Sequence, residues 1–151
     1  MAPPFEEREI LFRDFAKALF KSDMDALYRV VTPDFLWLYH DGVAVTKSLS
    51  GGDAIGAHLA EQKILFSVQR FYEVRYHHLP ETTFMTFRVS ETVAGSGELR
   101  EQRGIEHYTF RDGRTMEHTM TRSFDGTTGT MERSFIGPNG QVLCAFTPDR
   151  E

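Results

Sequence analysis

Cysteine is almost missing from this chain: Cys144 is the only one in 151 residues. One thiol cannot close an intrachain disulfide, and it leaves no cysteine-based zinc site. Long apolar runs are missing as well. Nothing approaches the roughly 18 consecutive apolar residues of a membrane span, so no membrane partner is expected. Basic charge is scarce: 17 Lys and Arg stand against 22 Asp and Glu, a formal net charge of −5. That balance argues against a nucleic-acid partner, which needs a basic stripe. The opening MAPPFEEREI has neither the basic region nor the apolar stretch of a signal peptide, and the expected location is cytoplasmic. A Gly-rich phosphate loop, a nucleophile elbow and a His-Glu-x-x-His pattern are all absent. No cofactor is expected.

Aromatic residues are what the chain has in quantity: 13 Phe, five Tyr and one Trp. They favour a lined cavity or a thick sheet-on-helix core. From Phe5 to Phe20 apolar residues recur at helical spacing (Leu11, Phe12, Phe15, Ala16, Leu19, Phe20), with Glu6, Glu7 and Glu9 near the positive end of the helix dipole. Ser22 and Asp25 resemble a capping pair for a short second helix, Met24 to Val31, which Pro33 stops. Phe35 to Tyr39 reads as a strand closed by Asp41-Gly42, and Val43 to Leu49 as a short second one. Ser50 is a plausible cap for a third helix carrying Ile55, Leu59, Ile64 and Phe66. From Val68 the period becomes two. Tyr72, Val74, Tyr76 and His78 share one strand face, and Met85, Phe87 and Val89 share another. Helices followed by successive strands predict an α+β domain, its helices segregated to one face of a mostly antiparallel sheet.

The stretch Leu99 to Phe124 reads as two long strands joined at Asp112-Gly113, a strong signal for a two-residue turn. In that register Tyr108 faces Glu117, His107 faces His118 and Glu106 faces Thr119. One face carries Glu106, Tyr108, Phe110, Glu117 and Thr119, the other Ile105, His107, Met116, His118 and Met120. After residue 124, Thr130–Ile136 and Gln141–Phe146 flank Asn139-Gly140 and suggest one more hairpin. The expected organisation is a domain over 1–124 with 125–151 as an extension of it.

The Lys21–Asp25 break between helices, the Thr32-Pro33-Asp34-Phe35 entry, the Gly52-Asp53-Ala54-Ile55 helix start and Tyr108–Gly113 together resemble the nuclear transport factor 2-like superfamily. The likeness runs from Phe5 to Phe124 and points to the SnoaL-like and ketosteroid-isomerase-like branch. It implies a cone-shaped α+β barrel, three helices packed on a curved sheet, whose mouth commonly holds a small hydrophobic molecule. Carried over position by position, the isomerase Tyr falls at Phe15, the base at Tyr39 and the third acid at Glu106. Two of the three positions have lost their chemistry, so ketosteroid-type isomerisation is not expected.

The resemblance turns Glu106 inward. Two readings follow: a desolvated carboxyl whose pKa rises toward neutrality and which serves as acid and base, or a structural Glu hydrogen-bonded to Tyr or Arg across the cone. The candidate catalytic residues are Glu106, His40 and His78. The pocket set is Phe15, Trp37, Tyr39, Asp41, Tyr76, Phe87, Tyr108, Glu117 and Thr119. His107 and His118 could hold zinc only with a third ligand such as His77, and parity places the pair outside, so no metal is expected. The expected partner is a small, largely apolar organic molecule. The expected function is its binding, with a cofactor-free lyase, isomerase or cyclase activity as one version and a non-catalytic binding or assembly module as the other. A homodimer is expected through the outer sheet face, where Ile105, Met116 and Met120 are too apolar for a solvated surface.

Overall fold

Leu11, Phe12, Phe15 and Ala18 line one side of α1 (Phe5–Lys21) and are buried in the computed structural model, which describes residues 2–40, 44–110, 128–136 and 142–143. Phe20, counted in the same stripe by spacing, is 80% exposed near the helix end. Helix α1 stops at Ser22, which turns left-handed (φ 54°), while the Ser22 and Asp23 N–H groups close back on the Leu19 and Ala18 carbonyls. Asp23, and not the expected Ser22–Asp25 pair, caps α2 (Met24–Leu27), accepting from the Ala26 N–H at 3.1 Å. This helix ends earlier than expected, and Val31 already opens β1 (Val31–His40).

Strand β2 (Val45–Ser50) folds back on β1, and α3 (Gly52–Leu65) follows, capped by Gly51 at φ 90° with no help from a Ser50 side chain. Ile55 and His58 are its buried residues, whereas Ile64 is 74% exposed. An antiparallel meander of β3 (Phe66–His78), β4 (Thr82–Val93) and β5 (Leu99–Phe110) comes next. It is followed by β6 (Thr128–Ile136) and the short β7 (Val142–Leu143) beside it. The strands form one sheet in the order β2-β1-β6-β5-β4-β3, with β1 and β6 parallel and the other pairs antiparallel. This is the α+β cone: three helices on a curved, mostly antiparallel sheet.

The place expected for residues 114–124 beside β5 is held by β6. Tyr108 stands opposite Met131, His107 opposite Glu132, and Glu106 opposite Arg133. The Asp112-Gly113 turn, Glu117, Thr119, Met116, His118 and Met120 lie outside the described residues. On β3 the expected single face is broken. Glu73 adopts φ 52°, and the register with β4 shifts between Tyr72 and Arg75. Such a bulge inserts a residue and reverses the alternation. Phe71 before it and Tyr76 and His78 after it therefore reach the inner side, while Tyr72 bonds the exposed Glu101 and Val74 is 42% exposed.

Phe15, Trp37, Ile55, Phe87 and Tyr108 are buried in one core, with Leu19 and Leu59 packed against it. Arg8 fixes α1 to the turn between β3 and β4. Its guanidinium donates to the carbonyls of Pro3, Leu79, Pro80 and Thr82 and to Thr83 Oγ1 over 2.6–3.1 Å. Gly104 has a steric role. A Cβ there would sit 2.2 Å from Cζ of Phe87, whose ring lies flat across β5. Gly104→Ala is expected to lower stability by about 1–3 kcal/mol through overpacking. In a Phe87→Leu background the added methyl should cost clearly less, as measured by urea unfolding of the four variants.

Candidate functional site

Strand register assembles the site. Lys47 pairs with Tyr39, Tyr39 with Arg133, Arg133 with Glu106, Glu106 with Met85, and Met85 with Tyr76. Residues paired across a sheet share a face. A single row from β2 to β3 thus brings Lys47, Tyr39, Arg133, Glu106 and Tyr76 to the interior of the cone. The adjacent row carries Leu49, Trp37, Met131, Tyr108, Thr83 and His78.

Glu106 is 1% exposed, and both its oxygens are engaged. The Tyr108 hydroxyl donates to Oε1, Arg133 Nε donates to Oε2 at 2.5 Å, and Arg133 Nη2 pairs with the same oxygen. Three rings cover the guanidinium: Trp37 at 5.0 Å, Phe71 at 5.7 Å and Phe87 at 5.8 Å. Burial works against the Arg133 charge. The Glu106 carboxylate, with Tyr39 and Tyr108, outweighs it and holds the guanidinium above its ordinary value. Glu106 thus accepts from a largely buried Arg and from a Tyr, the hydrogen bonds that the structural reading of this residue expects.

At the other end of the row, Tyr39 Oη lies 2.8 Å from His58 Nε2, and Lys47 Nζ lies 3.3 Å from His58 Nδ1. An ammonium has donors only. Nδ1 is therefore the accepting nitrogen, and the ring proton sits on Nε2 and is donated to Tyr39. Burial first, then the charges of Lys47 and Arg133, push His58 down to about 3, so the ring is neutral at pH 7. Burial likewise pushes Tyr39 up to about 12, against Arg133, which also bonds its hydroxyl. Tyr39 is thus a protonated donor where the isomerase resemblance would put a base. Glu91, buried nearby on β4, has its oxygens taken by Gln69 at 2.6 Å and Gln102 at 3.1 Å, and burial raises its pKa.

Trp37, Tyr39, Tyr76, Phe87 and Tyr108 of the expected pocket set all lie in or beside these rows. Phe15 is core, edge-on to Tyr108 at 5.7 Å. His40 does not join Glu106: the burial pattern of β1 places it with Leu36 and Leu38 on the opposite side from Trp37 and Tyr39. His78 is inside but far along its row, stacked with Tyr76 and Phe12 and 3.0 Å from Thr83 Oγ1. Asp41, Glu117 and Thr119 are outside the described residues. Of the expected dimer face, Ile105 and His107 stand on the outer side of β5, where His107 stacks on Phe84 at 4.5 Å.

Sequence reasoning missed His58, Lys47 and Arg133. His58 follows Ile55 by three residues and so shares its helix face. Arg133 alternates with Met131, which was a readable inward signal once β6 is placed inside the sheet. Among the described residues no three His, Cys, Asp or Glu are grouped to hold a metal ion, and no helix is long and apolar enough to cross a membrane.

The fold is that of the nuclear transport factor 2-like superfamily. The SnoaL-like domain model matches residues 12–118, and the chain belongs to that family. A protein from Jannaschia sp. CCS1 described as a SnoaL-like polyketide cyclase superposes with a TM-score of 0.66 at 14% identity, over 89% of each chain. A nuclear transport factor 2-like protein of Burkholderia xenovorans gives 0.65 at 14%, over 86% of this chain and 89% of that one. TerC crystallised with polyporic acid gives 0.62 at 14%, over 84% and 89%. The search of curated proteins finds no match.

Two outcomes follow from the row. Glu106→Gln leaves the Arg133 charge buried without its counter-ion and is expected to cost about 3–5 kcal/mol, whereas Glu106→Leu with Arg133→Met should recover most of that loss in the same denaturation measurement. Separately, His58 has a depressed pKa, so the unfolded chain binds its proton first. Stability from this group is complete above its unfolded pKa of about 6.5 and is lost as pH falls toward about 3. His58→Phe should remove a slope of up to about 1.4 kcal/mol per pH unit from that window, which a pH series of urea melts will read.

Proposed function

We propose that this chain binds a small, planar, largely apolar organic molecule in the interior of its cone. The observation that carries the reading is the polar row itself. Arg133, bonded to the buried Glu106 and Tyr39, is held under Trp37, Phe71 and Phe87, in an interior that packing alone would fill with apolar side chains. Rings supply area for a flat ligand, and a few fixed polar groups orient it, which is the usual make-up of a small-molecule site. Membership of the SnoaL-like family supports the same reading, as does the neighbour crystallised with polyporic acid.

A catalytic version has one observation in its favour. Lys47, about a third exposed, leads through His58 to the buried Tyr39, and such a chain can pass a proton between solvent and the interior. In this version the reaction is a cofactor-free isomerase, lyase or cyclase step on an enolisable carbonyl compound. Against a strong general base stands the engagement of Glu106, His58 and Tyr39 with their neighbours.

The test uses Trp37, the only tryptophan, as its reporter. Two- and three-ring ketones, phenols and carboxylic acids are titrated against its fluorescence. Saturable quenching is expected in the wild type and should be lost in the Glu106→Leu, Arg133→Met double variant. No saturable response from any member of the set would overturn the binding reading. Deuterium exchange at the α-carbon of 2-tetralone, present in wild type and lost in His58→Phe, would establish the catalytic version; exchange no faster than buffer would leave a binding module.

A further inference from the structure

We propose that the corner formed by Trp37, Tyr39 and Arg133 is an oxyanion site: it takes a planar organic anion, a ring carboxylate or phenolate, whose charged oxygen accepts from the Trp37 indole N–H. The inference rests on the binding reading above and names the ligand's chemistry. Trp37 is 1% exposed, and among the described residues its Nε1 has no hydrogen-bond partner. An indole nitrogen can only donate. A buried donor left without an acceptor is costly, and a ligand oxygen placed on it removes that cost.

The groups around Trp37 are donors as well. Arg133 lies over its ring at 5.0 Å, and the His58 ring stands edge-on to it at 5.2 Å. His58 delivers its Nε2 proton to Tyr39, and Arg133 bonds the same hydroxyl oxygen. The nearby acceptors are already committed. Glu106 is taken by Arg133 and Tyr108, Glu91 by Gln69 and Gln102, and Glu61 lies 3.7 Å from Lys47. A corner with fixed donors, a permanent cation and saturated carboxylates favours an oxygen that carries negative charge. Trp37, Phe71 and Phe87 supply faces for the ring system that bears it.

The test follows the single indole N–H signal of the full chain by nitrogen-edited NMR. The probes are 2-naphthoate, its neutral isostere 2-naphthamide, and a nitrophenol that ionises near neutral pH. Naphthoate is expected to move the indole signal downfield and to bind at least about tenfold more tightly than the amide, the worth of one hydrogen bond to a charged acceptor. Growth of the nitrophenolate absorption band on binding at constant pH would show that a phenolate serves as the anion too, and its absence restricts the site to carboxylates. Trp37→Phe keeps a ring and removes the donor; it should abolish the preference for naphthoate while the amide still binds. Tyr39→Phe, which keeps the core ring, is the second variant and should reduce the preference in part. Equal affinity for naphthoate and naphthamide, or naphthoate binding with the indole signal unmoved, overturns the oxyanion site and leaves the binding reading intact. If neither naphthalene probe binds, both readings fall together.

Discussion

The ion pair between Glu106 and Arg133 is the contact on which the interior depends. Strand β6 joins the β1–β2 hairpin to the β3–β4–β5 meander, and this pair spans its seam with β5. The same guanidinium bonds Tyr39 on β1 and lies under rings from β1, β3 and β4. Slipping β6 by one residue would carry Arg133 to the outer face and strand Glu106 alone in the core. A buried pair of this kind is weak evidence for stability, since apolar residues of similar volume serve as well. Its better-supported use here is to select one register for the strand that closes the sheet.

The same engagement limits the chemistry. Both oxygens of the Glu106 carboxylate already accept, one from a phenol and one from a guanidinium. A histidine held neutral between an ammonium and a phenol is a fixed donor. The groups are capable individually, yet together they form a set of oriented dipoles more than a pair of exchangeable acids and bases. Where the isomerase resemblance would put a Tyr and a base, this chain has Phe15 and the protonated Tyr39, and its row is organised to hold charge in place.

Much of this arrangement was legible in the sequence. Alternation on β4 and β5 grouped Met85, Phe87 and Val89 on one face and Glu106 with Tyr108 on another, because an antiparallel strand with one packed face cannot disguise its period, and the family resemblance turned Glu106 inward. What stayed hidden was non-local. The bulge at Glu73 reverses parity within β3 and leaves no mark that spacing can detect. The partner of β5 was misread because Asp112-Gly113 is a local turn signal, whereas β6 reaches β5 only across an intervening stretch of chain and reaches β1 from nearly a hundred positions away. His58 was passed over as part of an apolar helix face. Its partners, Lys47 and Tyr39, come from β2 and β1, and no short-range pattern links them to it.

The central position of β6 also bears on how the chain comes off the ribosome. Every strand from β1 to β5 has been synthesised before residue 128 is made, so β1 and β5 wait for β6 with one edge each unpaired. Open edges of that kind are templates for pairing with other chains, and contacts this distant in sequence form slowly. Until the last fifth of the polypeptide arrives, Glu106 has no cation and the cone has no closing wall. A nascent chain thus lacks its central ion pair and is most exposed to aggregation at the same moment. Arrival of β6 would end both conditions in one docking event.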